Sequence, residues 1–206
     1  MIKHFGVSLR DREGGFKLTE GNFIPNSNNS GLYPGTVLTD EECQRLRRDA
    51  KINLEYNLSY FTNLDREEFN QSINDFCRIT GFVKITDLSK YSLKSGFYLM
   101  VMDEYCQFYL GYSKDLKKRI MRHWSQVMPL DRLVLFSAEM SKLSIDSFCA
   151  LDTTRIYILL ANEDSLNDED RYINMLPDKF LANRNKGGRL EPKEIMRDIK
   201  TRDFNI

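Results

Sequence analysis

The sequence predicts an α+β fold in which helices flank a small, mostly antiparallel sheet, and three stretches carry that reading. Residues 97–102 and 106–110 are short runs rich in apolar and aromatic side chains on either side of Asp103-Glu104, the pattern of a hairpin. Immediately afterwards the apolar spacing becomes helical: Leu116, Ile120 and Trp124 recur every four residues, with Ser113 available as the cap and Asp115 in the first turn. Further on, Arg155-Ile156-Tyr157-Ile158-Leu159-Leu160-Ala161 is almost continuously apolar, which suits a strand buried on both faces in the middle of a sheet.

Residues 1–38 form an irregular segment with turn signals at Gly14-Gly15 and from Pro25 to Gly31. Its apolar pieces, Phe5 to Leu9 and Phe23-Ile24, either pair as short strands or lie on the main domain. Thr39-Asp40-Glu41-Glu42 reads as a capping box opening a helix to about residue 55, with Cys43, Leu46 and Ala50 on its apolar face. Asp65 and Glu68 open a second helix, striped by Phe69, Ile73, Phe76 and Cys77 and ending near Thr80-Gly81. Residues 39–90 therefore form a helical accessory region, the bulk of a mainly helical N-terminal extension, whose helices are expected to pack and not to recognise a partner. Phe82 to Thr86 alternates like a short strand.

Beyond the hairpin and its helix, Arg132 to Phe136 is strand-like, and Leu143, Phe148 and Leu151 have helical spacing. After the apolar run at 155–161, Asn167 or Asp168 can cap a helix carrying Glu169, with Ile173, Leu176 and Phe180 turned to the sheet. Pro177 should stop or kink it near Met175 or Leu176. Residues 185–206 are a basic tail in which Pro192 begins a short charged helix over Lys193 to Lys200.

At 206 residues, 41% of them hydrophobic and 29% charged, the chain holds one ordinary domain with a smaller appendage. No apolar run reaches the length of a membrane span, and no signal-peptide pattern opens the chain, so a cytoplasmic protein is expected. Cys43, Cys77, Cys106 and Cys149 are scattered, and with only His4 and His123 beside them no zinc-site spacing exists. Net charge is zero, yet Lys114, Lys117, Lys118, Arg119, Arg122 and the titratable His123 cluster against Asp115 alone. Such a stripe is either a solvated helix face or a local field able to hold a polyanion.

Arg119 and His123, four apart, share one face of their helix, while Tyr98 and Tyr109 fall on adjacent antiparallel strands. Two phenols, a guanidinium and an imidazole should therefore converge. Gly96-Phe97-Tyr98, Tyr109-Leu110-Gly111, the run from Ser113 to Arg119, His123, and Glu169 with Ile173 followed by Asn183 come in an order that resembles the GIY-YIG nuclease family over residues 91–184. The sequence departs from the tripeptide pattern at Phe97 and Leu110, both apolar packing positions.

The resemblance implies an α/β sandwich-like nuclease domain with a central sheet of about three strands, and a metal-dependent endonuclease acting on DNA. Glu169 would hold one divalent cation, magnesium with manganese as the alternative, although Asp168 and Asp170 leave open which carboxylate points inward. Arg119 would clamp the scissile phosphate through its fork of donors, and His123 would assist proton transfer. One of Tyr98 and Tyr109 would be the general base, a role for which a phenol of ordinary pKa near 10 needs help from a cation or metal-bound water. Asn183 would hold the site together, and Lys114, Lys117, Lys118 and Arg122 would meet DNA phosphates. The alternative is a catalytically weak DNA-binding or partner-binding module that keeps the nuclease fold.

Overall fold

The computed structural model describes residues 2–11, 14–161 and 168–183. The expected tail helix, the basic residues of the tail and the Asn167 cap lie outside the described residues. The chain opens with a small hairpin of β1 (Lys3–His4) and β2 (Val7–Ser8), turned through Phe5-Gly6, followed by a single helical turn α1 (Glu20–Phe23) capped by Thr19. The capping box forms: the Thr39 hydroxyl accepts the Glu42 N–H (3.3 Å), and the Glu42 carboxylate accepts the Thr39 N–H (2.8 Å). It starts α2 (Asp40–Thr62), longer than the expected helix because Asn57 and Phe61 extend the buried stripe past residue 55. Asp65 caps α3 (Arg66–Thr80) by accepting the Glu67 and Glu68 N–H groups, and the helix ends at Gly81.

β3 (Val83–Ile85), β4 (Gly96–Met102), β5 (Gln107–Ser113) and β6 (Arg155–Leu160) form one antiparallel sheet in the order β3-β6-β4-β5. The apolar run at 155–160 is an inner strand, as its composition demands. The sheet has four strands where about three were expected, because Val83 pairs with Ile158 and brings the short β3 onto the free edge of β6.

Side chains alternate across the sheet. Tyr98, Met100, Met102, Ile156 and Ile158 face a core shared with α2 and with α4 (Leu116–Ser125), while Phe97, Leu99, Val101, Phe108, Leu110 and Tyr157 face a core built by α3 and the short α5 (Glu169–Ile173). The two helices of residues 39–90 thus cover opposite faces of the sheet and complete both cores. All seven residues of β4 are buried. A slip of one residue would exchange its two faces and put Phe97 where Tyr98 stands, so burial, worth about 1.5–3 kcal/mol per large side chain, sets the register that aligns the site.

Three local expectations are corrected. Arg132 to Phe136 joins no strand among the described residues: Leu130–Arg132 is a 3-10 turn, Leu133 anchors in the core, and Phe136 stands 70% exposed with φ of 70°. The apolar residues there pin a loop to the domain. The helical spacing at 143–151 resolves into two 3-10 turns, Ile145–Ser147 and Ala150–Asp152, because the buried Asp152 carboxylate takes the Cys149 and Leu18 N–H groups (2.7 and 2.9 Å) and breaks the helical pattern. The cap of α4 is Asp115, which accepts the Lys118 N–H (3.0 Å), while the Ser113 hydroxyl accepts the Asp115 N–H (3.1 Å) one step upstream.

α5 stops at Ile173, ahead of Pro177, and Phe180 reaches the core from a separate 3-10 turn, Asp178–Phe180. The four cysteines are free thiols. Among the described residues, no helix is long and apolar enough to cross a membrane.

Candidate active site

The facing strands β4 and β5 and the helix α4 enclose a polar island in the first core. Tyr98 sits opposite Gly111 in the β4–β5 register and is 0% exposed. Its ring lies across that glycine: a Cβ on Gly111 would stand 2.6 Å from Tyr98 Oη, 2.8 Å from its Cζ and 3.0 Å from Tyr109 Cε1. Gly96 has its own reason, since a Cβ there would meet the Leu159 carbonyl oxygen of the neighbouring strand at 2.3 Å. The glycines of both tripeptides are therefore demanded by close approach of ring and backbone.

From α4, the Arg119 guanidinium lies near enough to the Tyr98 and Tyr109 phenols for their charges to act on one another. One turn later His123 places Nε2 2.8 Å from Tyr98 Oη, and the Tyr109 ring centroid lies 5.1 Å from the imidazole. The other imidazole nitrogen, Nδ1, is 2.5 Å from Oδ1 of Asp146, on the 3-10 turn Ile145–Ser147. The sequence reading does not single out Asp146. It arrives from 23 residues away on a turn with no motif, and only its place between the apolar residues Ile145 and Phe148 hints that this segment docks on the core.

Burial dominates the electrostatics. It pushes the Tyr98 phenol well above its ordinary value and the Tyr109 phenol upward, with Arg119 opposing both shifts. Burial pulls the His123 imidazole down, favouring the neutral ring, and Asp146 only partly offsets this. The Arg119 charge is disfavoured by its own partial burial, but the two phenols more than restore it.

Glu169 stands in the first turn of α5, half-buried, with the Tyr112 backbone helping to favour its charged form. Burial and the adjacent Asp170 raise its carboxyl, and Arg119 draws it back. Asp170 is exposed, whereas the Glu169 charge is felt by both phenols, so Glu169 is the carboxylate turned to the site. Among the described residues, no three His, Cys, Asp or Glu side chains gather as a metal cage. A lone carboxylate still fits a magnesium-type ion, which keeps most of its waters and completes its shell with substrate phosphate.

Asn183 acts on the backbone. Its Oδ1 accepts the Leu110 N–H (3.1 Å) and its Nδ2 donates to the Leu110 carbonyl (2.8 Å), so the side chain stands in for a strand partner beside Tyr109. The basic cluster divides. Lys117, Lys118 and Arg122 lie on the other side of α4, lining a cleft of about 680 Å³ against Leu9 and Phe16, and Lys114 is exposed just past β5. Tyr98, Tyr109, Arg119, His123 and Glu169 thus come together with Asn183 behind them, while Lys117, Lys118 and Arg122 gather elsewhere. Comparison with protein-family models, curated proteins and solved structures gives no match.

Proposed function

We propose that this chain is a metal-dependent endonuclease that hydrolyses DNA phosphodiester bonds, of the GIY-YIG type. The observation that carries the reading is Arg119, a half-buried guanidinium whose near electrostatic partners include the phenols Tyr98 and Tyr109, both held toward their neutral form by burial. Neutral partners orient the cation without cancelling it, so its charge remains for an anion, and its planar fork suits two phosphate oxygens.

Tyr98 Oη sits between Arg119, which can only donate, and His123 Nε2, 2.8 Å away, which can accept. Its proton has an exit and the phenolate that remains has a cation beside it, whereas Tyr109 faces the same cation. Tyr98 is therefore the better general base and Tyr109 the group that helps hold Arg119 in place. Glu169 would hold the divalent ion, which when bound supplies positive charge for the leaving oxygen. Asn183 keeps β5 in place, and with it the Tyr109 ring.

Plasmid incubated with magnesium should be nicked or linearised, and both excess chelator and Glu169→Gln should lower the rate by at least about 10²-fold while thermal melting stays near the parent's. Undiminished cutting in chelator, or by Glu169→Gln, refutes the metal-dependent reading. A second reading, a DNA- or partner-binding module that keeps the nuclease fold, is favoured by one pair of facts: Tyr98 is wholly buried, and Lys117, Lys118 and Arg122 line a separate cleft. Binding of DNA without any cutting in the same assay would select it.

A further inference from the structure

We propose that Asp146 is the positioning residue of this site: it fixes His123 as the Nδ1–H tautomer, leaving Nε2 free to take the Tyr98 proton. The inference rests on the nuclease reading for its catalytic consequence and on geometry alone for its structural part. Asp146 Oδ1 lies 2.5 Å from Nδ1, and Tyr98 Oη lies 2.8 Å from Nε2. A neutral imidazole carries one N–H, and an ionised carboxylate can only accept. The N–H must then point at Asp146, and the lone pair at Tyr98. Because Arg119 also only donates, the Tyr98 hydroxyl has one place to send its hydrogen.

The turn that holds Asp146 is anchored in depth. Ile145 is buried in the core, and the Ser144 hydroxyl accepts the Asp146 N–H (3.3 Å). Just upstream, two buried asparagines one turn apart on α2 grip the preceding loop. Asn53 donates to the Ala138 and Ser141 carbonyls (both 2.6 Å), while Asn57 donates to the Ser141 carbonyl (2.8 Å) and accepts the Leu143 N–H (3.3 Å). A helix that reads as accessory in the sequence therefore locates a carboxylate at the site.

In the reaction, the Tyr98 hydroxyl proton passes to His123 Nε2, and the imidazolium keeps its Nδ1–H on Asp146. The phenolate beside Arg119 takes a proton from the attacking water as the water oxygen bonds to phosphorus. The phosphorus–oxygen ester bond breaks with its electron pair on the leaving sugar oxygen, which is protonated by solvent. Asp146, with 20% of its side chain exposed, then provides the route by which the imidazolium returns its extra proton to solvent.

The test combines nitrogen-15 NMR of His123 with DNA cleavage and thermal melting, on the parent and on Asp146→Asn. In the parent, Nδ1 should be protonated and Nε2 bare. Asparagine can donate as well as accept, so Asp146→Asn should shift the ring toward the Nε2–H tautomer and lower cleavage by about 10²–10⁴-fold while the protein still folds. A parent ring protonated at Nε2 overturns the proposal whatever the variant does. So does an Asp146→Asn protein that keeps the parental tautomer, or one that shifts tautomer and cuts at the parental rate. If the parent does not cut DNA at all, the nuclease reading falls, and the tautomer measurement still decides whether Asp146 sets His123.

Discussion

Replacing Gly111 with alanine is the sharpest steric test of the site. The backbone of Gly111 lies outside the left-handed region, so alanine meets no conformational penalty and the whole effect comes from one methyl group. That methyl would stand 2.6 Å from Tyr98 Oη where ordinary contact begins at 3.4 Å, so the hydroxyl must retreat by 3.4 − 2.6 = 0.8 Å. Tyr98 is 0% exposed and its hydroxyl is already 2.8 Å from His123 Nε2, so the retreat either compresses that contact or breaks it. Overpacking of this kind costs about 1–3 kcal/mol, and a lost hydrogen bond adds about 0.5–1.5 kcal/mol. At about 2–4 °C per kcal/mol for a chain of this size, the sum of about 1.5–4.5 kcal/mol means Gly111→Ala should melt about 3–18 °C below the parent. A misplacement approaching 1 Å should also lower plasmid cleavage by about 10²-fold. Gly21→Ala, where a Cβ meets nothing within 4 Å, is the control and should melt at or slightly above the parent. A Gly111→Ala protein that melts with the parent and cuts at its rate refutes the packing argument.

Arg119→Lys should be nearly as inactive in cleavage as Arg119→Ala, because one ammonium cannot hold two phenols and still present a fork to phosphate; a lysine variant more than about tenfold faster would reduce Arg119 to a generic charge. Asn183→Asp still accepts the Leu110 N–H but sets a carboxylate oxygen against the Leu110 carbonyl, so it should cost at least about 1–3 kcal/mol in denaturant unfolding; parental stability would show that the pair of bonds is dispensable. His4 and His123 are both held below their ordinary pKa by burial, so the unfolded chain binds protons that the folded one refuses. Their contribution to stability is full above pH 6.5 and shrinks as pH falls below it, opposed at lower pH by the raised Asp152 and Glu169 carboxyls. Melting should drop between pH 7 and pH 5.5, and a flat profile would mean that both rings protonate as readily folded as unfolded.

Where burial is local and periodic, the sequence discloses the structure. The hairpin at 96–113, the helix through Trp124 and the inner strand at 155–160 are read from alternation and spacing alone, and the Thr39 and Asp65 caps from single side chains. Convergence of Tyr98, Tyr109, Arg119 and His123 follows, since strand register and one helical turn fix it. Features set by distant segments are not legible in this way. Asp146 reaches His123 only because Asn53 and Asn57 hold the loop before it, and no spacing connects those positions. Arg132 to Phe136 has the composition of a strand but joins no sheet among the described residues, where Leu133 anchors it to the core as a loop. Lys117 and Lys118 neighbour Arg119 in sequence, yet the helical rotation carries them to another cleft.

The segment that ends the described chain has a meaning beyond the site it steadies. β5 is the outermost strand, and its outward peptide groups at Phe108 and Leu110 are taken by the Ala182 N–H (2.9 Å) and by the Asn183 side chain. At the opposite margin, β3 is only three residues long and displays Lys84 to solvent. Among the described residues, the sheet therefore offers no long open margin on which a second molecule could add a strand. Ala182 and Asn183, which steady β5 beside Tyr109, thus also occupy peptide groups that an edge strand would otherwise present to another chain.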